Sequence, residues 1–223
     1  MFKYFITKEE FNKLKDDKKF LNAIELLRMD SAIITLQTLM LRTFHDNRNN
    51  DSSRDKRDRM EIVLYYGAVL YESLRTIYKM RKWLMNQNEC KNCIKDIDDL
   101  LLELDGEDSF TNKVLKRIRD KLTFHFDNDV FSKAFDTLAK DFSEEKLLIV
   151  EGDSERSIDI NYPVIPVLYF NYLISLVKGN RSEEEKFKYI FSQMNLITGK
   201  LREVIGNIAG ELLKDKLHTR DSK

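Results

Sequence analysis

Between Met60 and Tyr78 the positions Met60, Leu64, Gly67, Tyr71, Leu74 and Tyr78 follow one another in alternating steps of four and three. That spacing keeps one face of an α-helix apolar over several turns and predicts a seam packed against a partner helix. A second such seam runs Phe187, Ile190, Met194, Ile197, Leu201, Val204, Ile208 and Leu212. Two long seams of this kind, with only seven Gly and two Pro in 223 residues, favour long helices over a β-sandwich. A hydrophobic content of 42% is enough to bury one core. We therefore expect an all-α, single-domain helical bundle over residues 1–216, followed by a tail, 217–223, without regular structure.

Other signals place the remaining elements. Thr7-x-x-Glu10 and Ser182-x-x-Glu185 have the form of capping boxes that open helices. After the first box, Phe11, Leu14, Phe20, Ile24, Leu27, Ile34 and Leu41 suit one or two amphipathic helices up to about residue 44. The polar run 46–51 ends them, and a further helix starts at Ser52 or Ser53. A short helix is expected around Ile94 to Leu104, broken by Asp105-Gly106. The next major helix, about 110–124, buries Val114, Leu115, Ile118 and Leu122, with Lys113, Lys116, Arg117, Arg119 and Lys121 on its flanks. Phe131, Phe135 and Leu138 mark a helix capped by Asp127, Asn128 or Asp129. Lys146–Val150 and Ser157–Asn161, separated by Glu151-Gly152-Asp153-Ser154, predict a small inserted β-hairpin at about 146–161. Pro163 and Pro166 suit the start of a helix that continues through Leu176 until Gly179.

Charge and motif content narrow the chemistry. Lys plus Arg balances Asp plus Glu at 38 each, so any attraction for a polyanion must be local. The alternating run Arg54-Asp55-Lys56-Arg57-Asp58-Arg59 is a solvated helix face. Cys90 and Cys93 supply at most half of a zinc site, and His45, His125 and His218 are far apart in sequence. They read as two reduced thiols near a helix turn, with no metal expected. No phosphate-cradling Gly-rich loop or serine-hydrolase elbow occurs, so no cofactor, ATP and NAD included, is expected. The N-terminal apolar run is too short for a secretory signal and no segment has the length of a membrane span, which predicts a cytoplasmic protein.

One stretch carries candidate chemistry: Arg119-Asp120-Lys121-Leu122-Thr123-Phe124-His125-Phe126-Asp127. A guanidinium holds phosphate oxygens through a rigid fork of donors, and an imidazole moves protons near neutral pH. A purely structural alternative stands beside each assignment. Arg119 would pair with Asp120 or with a carboxylate of a neighbouring helix, and His125 would be a core histidine bonded to a backbone carbonyl. Asp127 would cap a helix rather than orient the imidazole. Glu72 would be salt-bridged rather than catalytic.

On Arg119 and His125, with five residues between them at a helix end, the chain resembles the HEPN superfamily of all-α proteins. Asp120 fills the place after the arginine where that family carries a polar residue, and Tyr65–Arg75 is similar to the helix preceding the signature in abortive-infection-like members. The resemblance implies a HEPN-like bundle and a metal-independent endoribonuclease working as a homodimer in prokaryotic defence or beside an antitoxin protein. His125 would then take the proton of the RNA 2′-hydroxyl and Arg119 would stabilise charge growing at phosphorus. Arg117, Asp120, Asp127 and Glu72 are candidate supporting residues. On an ideal helix, six residues turn two side chains about 120° apart. Either the helix loosens around Thr123 to His125, therefore, or the arginine of one protomer serves the histidine of the other. The alternative is a noncatalytic HEPN-like module that binds a partner protein or RNA.

Overall fold

A computed structural model describes residues 3–5, 7–46, 53–107, 109–123, 164–216 and 218–220. The candidates His125 and Asp127, the helix through Phe131, Phe135 and Leu138, and the hairpin at 146–161 lie outside the described residues.

The described chain is mostly helical. A short strand β1 (Lys3–Phe5) precedes α1 (Lys8–Leu14), which opens on the expected capping box. Thr7 Oγ1 accepts from the Glu10 amide at 3.2 Å, and Glu10 Oε2 accepts from the Thr7 amide at 2.8 Å. Helix α2 (Lys18–Asp46) follows after a turn. Asp17 caps it: its Oδ1 accepts from the amides of Lys19 (2.7 Å) and Phe20 (3.0 Å), two donors that a helix start leaves unpaired. Helix α3 (Ser53–Leu84) begins where the serines predicted. A 3-10 helix (Asn88–Cys93) leads into α4 (Ile94–Asp105), which gives way at Gly106. After a helix of unusual register, taken up below, come α5 (Val164–Ser175) and α6 (Glu183–Leu213).

The core lies where α2, α3 and α6 meet. Met60, Leu64, Tyr71 and Leu74 of the first seam are buried, as are Ile190, Met194, Ile197, Leu201, Val204, Ile208 and Leu212 of the second. One polar chain crosses this core. Thr198 Oγ1 donates to the Met194 carbonyl at 2.8 Å, which leaves it to accept from the buried Tyr66 hydroxyl. Burial holds the Tyr66 phenol above its usual pKa.

Tyr78, expected in the packed face of the first seam, is exposed instead, and two larger findings also depart from the sequence reading. Along α2 the expected stripe Ile24, Leu27, Ile34 and Leu41 faces outward, and Ala23, Leu26, Ile33 and Met40 are buried instead. The two sets have identical spacing, offset by one residue, so their periodicity alone cannot choose between faces about 100° apart. The second departure is at the chain ends. His218–Arg220, read from sequence as part of a tail without regular structure, forms β2 and pairs antiparallel with β1, Lys3 opposite Arg220 and Phe5 opposite His218. Among the described residues no helix is long and apolar enough to cross a membrane. Cys90 and Cys93 are free thiols, both buried, and burial pushes the Cys90 thiol up to about 11.

Candidate functional site

The helix that carries Arg119 starts with a braced turn. Asn112 Nδ2 donates to the carbonyls of Leu104 (2.6 Å) and Gly106 (2.9 Å), and Ser109 Oγ accepts from the Asn112 amide at 3.2 Å. From there the backbone is π-helical over Thr111–Leu115 and again over Ile118–Thr123. Such turns bond residue i to i+5, hold more residues than an α-turn, and are usually found singly, often at functional sites. Two in one short helix make this the least ordinary backbone among the described residues.

The helix lies tightly against α3, and Gly67 is the reason it can. A Cβ at position 67 would sit 3.0 Å from Cδ1 and 3.3 Å from Cγ2 of Ile118, and 3.5 Å from Cδ2 of Leu115. Ile118 and Leu115 are fully buried, so the glycine permits an approach that most side chains would block. Of the expected stripe Val114, Leu115 and Ile118 are buried, joined by Phe110 and Thr111, and the side chain of Leu122 lies outside those described. Lys116 and Arg117 are exposed.

This contact brings Arg119 to Glu72, one and a half turns along α3 from Gly67. Arg119 Nε lies 2.7 Å from Glu72 Oε1, and Arg119 Nη1 donates to Asp120 Oδ1 at 2.6 Å. The Arg119 side chain is 29% exposed. Asp120 first, and then Glu72, raise its pKa further above the usual guanidinium range, so it is a permanent cation. Arg75 Nη1 reaches the same Glu72 oxygen at a longer 3.4 Å, and its guanidinium sits 5.9 Å from the centre of the Tyr71 ring. Tyr71 is buried against this group, and burial raises its phenol pKa.

Two guanidinium groups and two carboxylates thus form one network across α3 and the π-rich helix. Of the residues read as candidates, Arg119, Asp120 and Glu72 come together, and Arg117 does not join their ion pairs in any described contact. Neither Arg75 nor Tyr71 is a site candidate from sequence, where Tyr71 belongs to the packing seam of α3. Their helical offsets from Glu72, three residues and one, would have placed Arg75 on the Glu72 face.

Comparison with protein-family models, curated proteins and solved structures finds no match. The functional reading therefore rests on the residues themselves. Among the described residues no group of three or more His, Cys, Asp or Glu is placed to hold a metal ion.

Proposed function

We propose that the chain is a HEPN-like, metal-independent endoribonuclease in which Arg119 binds the scissile phosphate and His125 is the base. The observation that carries this reading is Arg119 itself: a partly exposed, permanently charged fork, fixed by carboxylates on two of its nitrogens, on a π-helical turn six residues before the histidine. Fixing the guanidinium lowers the entropy lost when it meets a phosphate, and π turns favour functional sites.

The chemistry uses the substrate's own nucleophile. His125 removes the 2′-hydroxyl proton, the freed oxygen attacks the adjacent phosphorus, and the leaving 5′-oxygen takes a proton from the imidazolium so formed, or from water, as the P–O bond breaks. Arg119 offsets charge growing on the phosphoryl oxygens. The products are a 2′,3′-cyclic phosphate and a 5′-hydroxyl. In this reading the protein works as a cytoplasmic homodimer in a defence or toxin–antitoxin setting, held in check by an antitoxin protein.

One observation favours the alternative, a noncatalytic HEPN-like module that binds a partner protein or RNA. Arg119 and Arg75 face Glu72 and Asp120 two against two, a balance that weakens the local pull on a phosphate. A single variant separates the two readings. Purified protein is incubated with RNA and excess chelator, and His125→Ala is compared with the parent. The nuclease reading expects cleavage by the parent and a loss of about 10²- to 10⁴-fold in the variant, the usual contribution of a positioned base, with unchanged circular dichroism. Absence of cleavage by the parent at high protein concentration, with a variant of lower thermal stability, would establish the noncatalytic module.

A further inference from the structure

Away from Arg119, a second feature concentrates positive charge. A cleft of about 420 Å³ opens between the start of the π-rich helix, the turn that follows α5, and the first turns of α6. Lys113, Lys178 and Arg181 line it together with Phe110, Tyr189 and Asn180, and no acidic side chain is part of its described wall. In a chain whose formal charge sums to zero, three cations around one cleft are a local excess. Three acids stand in the first turn of α6 outside that wall: Glu183; Glu184, which lies 2.5 Å from Lys188 Nζ; and Glu185, which accepts from the Ser182 amide (2.8 Å) and hydroxyl (3.0 Å) and also feels the charge of Arg181.

The cleft also has an aromatic floor with a defined arrangement. Phe110 meets the Tyr189 ring edge-on, with ring centres 6.0 Å apart, and the Arg181 guanidinium carbon sits 4.8 Å from the centre of the Tyr189 ring. That contact restrains an otherwise exposed arginine. The turn bearing the cations depends on Gly179, whose φ of 110° is a conformation that other residues rarely adopt. Gly179 thereby sets Lys178 and Arg181 on the same rim.

Paired cations beside aromatic rings and a planar guanidinium match one kind of ligand. Phosphates take the charges, and unpaired bases stack on aromatic or guanidinium planes. The volume falls within the usual range for a site of this type. We infer that this cleft binds a nucleotide unit of single-stranded RNA, phosphate on Lys178 and Arg181 and base against Arg181 and Tyr189. The inference goes beyond the nuclease reading and does not depend on Arg119 or His125.

The test is direct binding of a fluorescein-labelled 2′-O-methyl oligoribonucleotide of about ten residues, a length within the usual range for strand-binding sites. This probe has no free 2′-hydroxyl, so its affinity reports binding whether or not the protein cleaves RNA. Arg181→Glu and Lys178→Glu are compared, by anisotropy at fixed ionic strength, with the parent and with Lys95→Glu, a charge reversal on the exposed surface of α4. Both cleft variants should weaken binding tenfold or more and lower its salt dependence, whereas Lys95→Glu should leave both unchanged. Adenosine monophosphate distinguishes the source of the ligand. Binding tenfold or more weaker than the oligonucleotide assigns the cleft to a strand, and equal binding lost in Arg181→Glu overturns the strand in favour of a free nucleotide. The proposal also fails if neither cleft variant changes the oligonucleotide affinity, if the parent does not bind it, or if polyphosphate of matched charge binds as tightly.

Discussion

Asp17 is a single residue with two tasks. It caps α2 through two backbone amides, and its Oδ2 lies 2.5 Å from Lys216 Nζ just beyond α6, so it ties the start of one long helix to the end of another. The hydrogen bond from Lys216 first, opposed by burial and aided by the two amides, holds its carboxyl below the usual carboxylate pKa. A group with a lowered folded pKa stabilises the fold fully above its unfolded value, near 3.8, and that contribution is lost as pH falls through the folded value. Asp17→Ala is therefore expected to cost about 1 kcal/mol at neutral pH, the typical worth of a helix cap. The difference from the parent should shrink as the solution is acidified below pH 4. Urea unfolding at neutral and acid pH checks both; an equal difference at every pH would mean that the carboxylate's charge does not matter. Arg119 is the residue at which sequence and structure inform each other most. Its pairing with Asp120 or a neighbouring carboxylate was one of two alternatives in the sequence, and the structure has it engaged with both. Such engagement is compatible with either functional reading, because a held guanidinium can serve a phosphate or merely a fold.

At the scale of elements, the packing of the π-rich helix on α3 sets the site, and Gly67 is its most sensitive point. Gly67→Val would drive two γ-methyl groups toward the fully buried Ile118. Overpacking of this kind costs about 1–3 kcal/mol, more than the roughly 0.5 kcal/mol that valine's better helix propensity returns. Thermal unfolding should show the loss, and in the nuclease reading RNA cleavage should fall with it as Arg119 moves off Glu72. A variant as stable as the parent would show that the helix can shift without penalty. The helices themselves were largely legible, because capping boxes at Thr7 and Ser182 and the seams of α3 and α6 are local signals. The π register was not. Val114, Leu115 and Ile118 are spaced as any α-helix would space them, so nothing in their pattern marks the i+5 bonds. Nor was the buried face of α2, since two equally apolar stripes compete and only the positions of α3 and α6 decide between them.

For the whole molecule, what the sequence leaves out is what joins distant segments. The β1–β2 pair links the two ends of the chain through strands of three residues each, too short to carry a periodic signal. The cationic cleft draws on residues 110–113, 176–181 and 189, which no motif connects. The overall charge balance hid it, because equal totals say nothing of where the charges sit. The Arg119 network and the cleft share the π-rich helix, Lys113 near its start and Arg119 toward its end. The account is tested most directly by the products of an RNA oligonucleotide treated with the protein in excess chelator, beside the same oligonucleotide carrying one 2′-deoxyribose immediately 5′ to the cut bond. A HEPN-like nuclease should leave 2′,3′-cyclic phosphate ends on the first and spare the modified linkage of the second. Cleavage that ignores the missing hydroxyl, or that stops when metal is removed, would contradict it.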